Sequence, residues 1–272
     1  MNNYQKFLIV LDLDGTLLTD EKTILPKTKQ YLKELEEQGH VVAMASGRPP
    51  RAIIPYYQEL GLKGPLISYN GACVYDPKDP SFPSFDQYFS KESVLDFLSK
   101  FPEGVIMEAF AENQDTVFYL NKGTEFDTMF HNDGMILKYG KFEEILDSDV
   151  YAFVVQLKDR SYIKMLDETQ LYDETLFLRH WYALEEVAEF GSYNRSKATG
   201  IEKLQQYYGI DRAHTIAFGD AENDVEMLSS AGVPFAMKNA DPHLKAIAGN
   251  ITLDDNNHEG IYLTLKEFFK VK

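Results

Sequence analysis

The chain has 272 residues, 44% hydrophobic and 26% charged, with 27 Lys+Arg against 43 Asp+Glu and a formal charge of −16. Its length allows one large domain or two modest ones with ample material for a core. Its negative balance excludes broad electrostatic binding to nucleic acid or anionic lipid and admits a small anionic ligand only where cations concentrate locally. The single Cys73 excludes a disulfide framework and a thiolate zinc cluster.

From Lys6 to Leu11 the sequence is a continuous apolar run of branched residues, which reads as a strand buried on both faces. That run is too short for a signal core, and no apolar stretch approaches the roughly 18 residues of a membrane helix, so the expected location is the cytoplasm with no membrane partner. A helix is predicted from Pro26 to Gln38, with Leu25, Tyr31, Leu32 and Leu35 as its apolar stripe and Gly39 as its stop. His40 to Ala45 is the next buried strand. Pro49-Pro50 opens a helix to about Leu60, and Pro65 to Tyr69 is a third strand. Strand and helix in alternation give a doubly wound, mostly parallel α/β sheet.

The texture then changes. Pro77, Pro80 and Pro83 mark a linker over 76–84, and a helix capped by Ser90 runs from Lys91 to Phe101. Strands are predicted over 104–111, 115–120, 151–157 and 175–181, with a helix over 161–172. Strands with few helices between them read as an α+β unit. After Gly191 the alternation returns: a helix over 196–208, a strand over 214–218, a helix over 223–231, a strand over 233–237, a short helix after Pro242 and a closing helix over 260–269. The chain is therefore read as an α/β core of residues 1–82 and 191–272 carrying an inserted α+β domain of residues 83–190.

Four short segments carry chemistry, three of them at strand ends. Asp12-Leu13-Asp14-Gly15-Thr16 follows the first strand, where doubly wound sheets place their sites. Alternation puts Asp12 and Asp14 on one side of an extended chain, although an Asp-Gly turn alone would explain part of the pattern. Gly219-Asp220-Ala221-Glu222-Asn223-Asp224 follows another short strand. Its density of oxygen ligands suits Mg²⁺, while helix capping explains one of these residues but not all. Ser46-Gly47-Arg48 can offer a hydroxyl and backbone N–H groups to phosphate oxygens. Lys197 opens a helix, against the helix dipole, unless a phosphate or an acidic cluster compensates it. The six histidines have neither i,i+4 pairing nor a nearby Cys, so no transition-metal site is expected.

In chain order (Asp12 to Thr16, Ser46 to Arg48, Lys197, Gly219 to Asp224) the four segments resemble the haloacid dehalogenase superfamily of phosphohydrolases, and specifically its Cof-type branch, whose large cap is inserted between the second and third motifs. Asn70-Gly71-Ala72 and Met237-Lys238-Asn239-Ala240 match that branch as well. The resemblance implies a Mg²⁺-dependent phosphatase of small phosphorylated metabolites such as sugar phosphates or phosphorylated cofactors. It implies Asp12 as the nucleophile that forms an aspartyl-phosphate and Asp14 as general acid and base. Metal ligands would be Asp12, the Asp14 backbone carbonyl and Asp220, with Asp224 supporting through water or from behind the direct ligands. Ser46, Gly47, Lys197 and Asn223 would hold the phosphoryl group, and Arg48 would face the substrate. The cap would close over the site and set specificity; Glu108, His131, Asp133 and Arg179 are candidate contacts that ordinary surface or sheet roles explain as well. A phosphomutase or phosphotransferase of the same superfamily, or an idle phosphometabolite sensor, are the alternatives. Oligomeric state is not legible.

Overall fold

A computed structural model of the chain describes residues 5–129, 132–159, 161–162, 176–180, 186–192 and 194–270. They form two compact units, residues 1–86 with 195–272 and residues 87–194.

The first unit is built on a seven-stranded sheet. Numbered along the whole chain, its strands are β1 (Leu8–Asp12), β2 (Val41–Ala45), β3 (Leu66–Ser68), β4 (Cys73–Tyr75), β5 (Phe85–Asp86), β12 (Thr215–Gly219) and β13 (Val233–Ala236). Their order is β13-β12-β1-β2-β3-β4-β5. The first five in that order pair in parallel, and β4 and β5 add an antiparallel edge. Every residue of β1, β2 and β12 is buried, as their unbroken apolar runs require. The helices of this unit are α1 (Pro26–Glu37), α2 (Pro50–Leu60), α6 (Lys197–Tyr208), α7 (Val225–Ser230), α8 (Pro242–Ala248) and α9 (Gly260–Lys270). Among the described residues, no helix is long and apolar enough to cross a membrane.

Residues 76–84 are not a free linker. Asp76 Oδ1 accepts from the backbone N–H groups of Lys78 and Asp79, and Phe82 is buried against the core. The prolines mark a folded turn that returns the chain to β5 on the sheet edge. The first unit consequently extends to residue 86, four residues beyond the boundary expected from composition.

The second unit holds a six-stranded sheet: β6 (Ile106–Glu112), β7 (Thr116–Tyr119), β8 (Ile136–Tyr139), β9 (Ala152–Leu157), β10 (Leu176–His180) and β11 (Val187–Ser192), in the order β10-β11-β9-β6-β7-β8. Its pairs are antiparallel except β7–β8. Its helices include α3 (Lys91–Ser99), α4 (Glu125–Met129) and α5 (Phe142–Ile145). Of these, α3 is capped by the Ser90 hydroxyl, which accepts from the Ser93 N–H. Phe97, Phe153 and Phe190 pack with it into a core of their own. The helix expected over 161–172 lies, apart from its first two residues, outside the described residues.

His40 links packing to pH in the first unit. Its Nδ1 accepts from the Phe7 N–H at 3.1 Å, and its ring lies among Phe7 and Phe269. Burial first, and then the charge of Lys6, pushes its pKa down to about 4. The folded state thus binds fewer protons than the unfolded chain between about pH 4 and 6.5, so stability rises with pH across that window. Lowering the pH from 7 to 4 is expected to cost on the order of 2–3 kcal/mol through this residue. Denaturant titrations across the window should show that slope flattened in His40→Gln; an unchanged slope would assign it elsewhere.

Candidate active site

The sheet changes direction at β1. The chain leaves β1 for β2 on one side, while β12 pairs with β1 on the other. Such a switch point opens a crevice beyond the carboxyl ends of the strands. Asp12 is the last residue of β1, and Asp220 follows the last residue of β12, so the parallel register Leu11↔Phe218 brings residues 208 positions apart in sequence to one crevice.

Asp12, Asp220 and Asp224 each offer an oxygen to a common point, with those atoms all within 4.8 Å of one another. Gly15 makes this approach possible: its φ of 73° turns the chain after Asp14, and a Cβ there would fall 2.2 Å from Asp220 Oδ2. Lys197 lies within the same cluster. The Ser196–Thr199 capping box fixes the start of α6, and from its first turn Lys197 reaches Asp12 Oδ1 at 2.5 Å and Asp224 Oδ1 at 2.7 Å. The ammonium is 0% exposed, so its conflict with the helix dipole is settled by two buried carboxylates rather than by solvent.

The charges in this crevice do not balance. Three carboxylates face one ammonium. Burial, and then repulsion from Asp224, raises the Asp12 pKa well above the carboxylate range despite Lys197. The same two causes raise Asp220 to about 6. Lys197 is pushed up: burial opposes its charge, but Asp12 and Asp224 outweigh it. A divalent cation would bring −3 + 1 to zero, and hard carboxylate oxygens are the donors that such a cation takes. The donor set therefore fits one. Asp224 is the most occupied of the three, since its Oδ1 accepts from Lys197 and its Oδ2 from the N–H groups of Asp220 and Ala221.

Asp14 stands apart from that cluster. The chain turns after Asp12, and the Asp14 carboxylate is gripped by Arg48, with Nε and Nη2 each at 2.6 Å, and by Lys22 Nζ at 2.7 Å. Burial works to raise its pKa, but hydrogen bonds from Arg48 and Lys22 outweigh that and hold it below its ordinary value. Arg48 also lies 5.7 Å from the Tyr56 ring centroid. Ser46, buried at the end of β2, accepts through Oγ from the Arg48 N–H at 3.2 Å. Gly47 lies beside the Asn70 amide, and Asn223 Nδ2 donates to Asn70 Oδ1 at 3.1 Å. Of the residues singled out in the second unit, Glu108 accepts from the Phe126 N–H, Asp133 is an exposed turn residue, Arg179 belongs to β10, and His131 lies outside the described residues.

Three contacts escape sequence reasoning. Thr16 Oγ1 donates to Asp220 Oδ1 at 2.8 Å, Asn239 Nδ2 donates to the Gly15 carbonyl at 2.7 Å, and Lys22 takes Asp14. Thr16 and Asn239 sit inside segments already singled out, which is the available signal; Lys22 has none. A second acidic group, Asp254 and Asp255 with His258, is tied up by Lys238 and by its own imidazole.

The sequence model of haloacid dehalogenase-like hydrolases matches residues 9–265. The chain is 33% identical over 271 residues to the 5-amino-6-(5-phospho-D-ribitylamino)uracil phosphatase YitU of Bacillus subtilis, covering 97% of this chain and 98% of that one. It is 29% identical over 284 residues to the pyridoxal phosphate phosphatase YbhA of Escherichia coli, covering 93% and 95%. Its fold matches a haloacid dehalogenase-like hydrolase of Bacteroides thetaiotaomicron with a TM-score of 0.80 at 24% identity, over 97% of this chain and 100% of that one. The chain thus belongs to the haloacid dehalogenase-like hydrolases, in their Cof-type branch, and is a phosphoric monoester hydrolase.

Proposed function

We propose that the first unit hydrolyses small phosphorylated metabolites with Mg²⁺, through an aspartyl-phosphate on Asp12. The observation that carries this reading is the group of Asp12 and Asp224, both buried, and half-buried Asp220 at the switch point of the sheet, with Lys197 bonded to the first two. Asp12, Asp220 and the Asp14 backbone carbonyl would hold the ion, with Asp224 supporting. Bound there, Mg²⁺ supplies positive charge against the phosphoryl oxygens and keeps Asp12 ionised. Relatives named as phosphatases of a phosphoribitylamino-uracil and of pyridoxal phosphate support small organic phosphates as the substrate class.

Lys197 holds Asp12 through Oδ1 and so aims the other carboxylate oxygen. That oxygen forms a bond to phosphorus as the ester oxygen leaves, and the leaving oxygen takes the proton that Asp14 supplies. Water then attacks the phosphorus of the aspartyl-phosphate, gives its proton to Asp14 and frees Asp12. Lys197 and the Ser46 hydroxyl, with Asn223, face the phosphoryl oxygens, whose charge spreads in the transition state. In the free protein Asp14 is ionised between Arg48 and Lys22. An incoming ester dianion competes for those two cations, and their transfer to it releases Asp14 to take up a proton. Arg48 thus has a place on the substrate as well as on Asp14.

Phosphate release from p-nitrophenyl phosphate tests this. Activity is expected to vanish with EDTA and to return with added Mg²⁺. Full activity in EDTA would overturn the metal assignment, and inert behaviour toward a broad panel of phosphate monoesters would overturn the reading as a whole.

A further inference from the structure

The turn after β3 lies outside the catalytic groups, yet among the described residues it alone sets two consecutive non-glycine residues at positive φ. Tyr69 and Asn70 are consecutive non-glycine residues in the left-handed region, with φ of 50° and 52°, and Gly71 follows at 97°. Asn tolerates that region because its short polar side chain bonds locally; Tyr does not, and two such residues in sequence persist only where the surroundings determine them.

The surroundings are three of the four loops of the site. The Asn70 N–H donates to the Ser46 carbonyl at 3.0 Å, and the Tyr69 N–H to the Arg48 carbonyl at 3.1 Å. Gly71 packs against the start of α6 so closely that a Cβ would fall 2.0 Å from the Ser196 carbonyl oxygen, the residue before Lys197. The Asn70 side chain, itself buried, closes the group. Its Oδ1 accepts from Asn223 Nδ2 at 3.1 Å, while its Nδ2 lies 3.1 Å from where a side chain on Gly47 would begin. The bond to Asn223 uses one of that amide's two N–H donors and fixes its plane, so the other can be aimed.

We propose that Asn70 is a positioning residue of the phosphoryl site, its amide setting Asn223 against the Ser46–Gly47 loop from the forced turn Tyr69-Asn70-Gly71. This rests on the phosphatase reading, in which Ser46, Lys197 and Asn223 face the transferring group. The turn touches no reacting atom. It fixes the spacing between donors that arise from β2, α6 and the segment after β12, and small losses of such spacing are read in the rate.

The test is a double-mutant cycle with Asn70→Gly and Asn223→Ala. Glycine adopts the left-handed turn freely, so the backbone is kept and only the amide is lost. Asn70→Gly is expected to melt within a few degrees of the parent, to lower kcat for p-nitrophenyl phosphate by about tenfold or more, and to change KM by less than about threefold. The double variant should be no more than about twofold worse than the worse single variant, in kcat and in the Kd of inorganic phosphate measured by calorimetry with Mg²⁺. Parent-like kcat in Asn70→Gly, or losses that multiply in full in both quantities, would overturn the proposal. Should Asn70→Gly not fold, Asn70→Ala, which keeps the Cβ, lacks the acceptor for Asn223 and bears a modest strain in the left-handed turn, takes its place with the same two outcomes. A parent protein without turnover would contradict the phosphatase reading alone, because coupling in phosphate affinity still decides the role of Asn70.

Discussion

Asp12→Asn is expected to abolish turnover, with kcat for p-nitrophenyl phosphate falling by about 10⁴-fold or more. The amide has the shape of the carboxylate and can still accept from Lys197, but it has no anionic oxygen to attack phosphorus. The fold should not suffer. Burial and the neighbouring carboxylate of Asp224 disfavour charge on Asp12, so a neutral isostere removes repulsion from the crevice. Steady-state kinetics and thermal melting on one preparation read both effects. A variant within tenfold of the parent rate would remove Asp12 from the nucleophile's role, and a collapsed fold would mean that its charge is structural.

Lys197→Met is expected to lose both activity and stability. The ammonium is buried between Asp12 and Asp224, and its removal leaves buried carboxylates facing one another without a cation. Breaking such a group costs about 3–5 kcal/mol, and kcat should fall by about 10³-fold as the charge facing the phosphoryl oxygens disappears. The stability loss carries a pH signature. Without the ammonium the Asp12 pKa, already raised, rises further, so the folded state binds more protons than the unfolded chain above about pH 4. Destabilisation should therefore be small near pH 4 and grow toward neutrality when denaturant titrations are run with metal chelated. A loss of equal size at every pH would mean that Lys197 contributes packing rather than charge.

How much of this could be read in advance depends on where each interaction arises. Strands β1, β2 and β12 are legible because both faces are buried and their apolar runs are unbroken. Asp12 and Asp220 stand out because a carboxylate at the end of such a run is costly without a partner. β4 and β5 escape notice because they are short and flank a proline-marked turn, and β11 because Glu189 and Gly191 break its apolar run. In the site, the sequence leaves Lys197 between a surface residue and a ligand; only the placement of the first turn of α6 beside Asp12 and Asp224 buries it. Alternation along an extended chain places Asp12 and Asp14 together, but the turn at Gly15 separates their partners, giving Asp12 to Lys197 and Asp14 to Arg48 and Lys22. Thr16, Asn239 and the contacts of Asn70 depend on loops whose paths no local pattern fixes.

The covalent step is best interrogated directly. Protein quenched during turnover of a phosphate monoester with Mg²⁺ and reduced by tritiated borohydride should carry label as homoserine at position 12, because borohydride reduces an acyl phosphate but not a free carboxylate. The label should be absent without substrate and in Asp12→Asn. Label at another carboxylate, or undiminished turnover with none at position 12, would contradict an aspartyl-phosphate on Asp12.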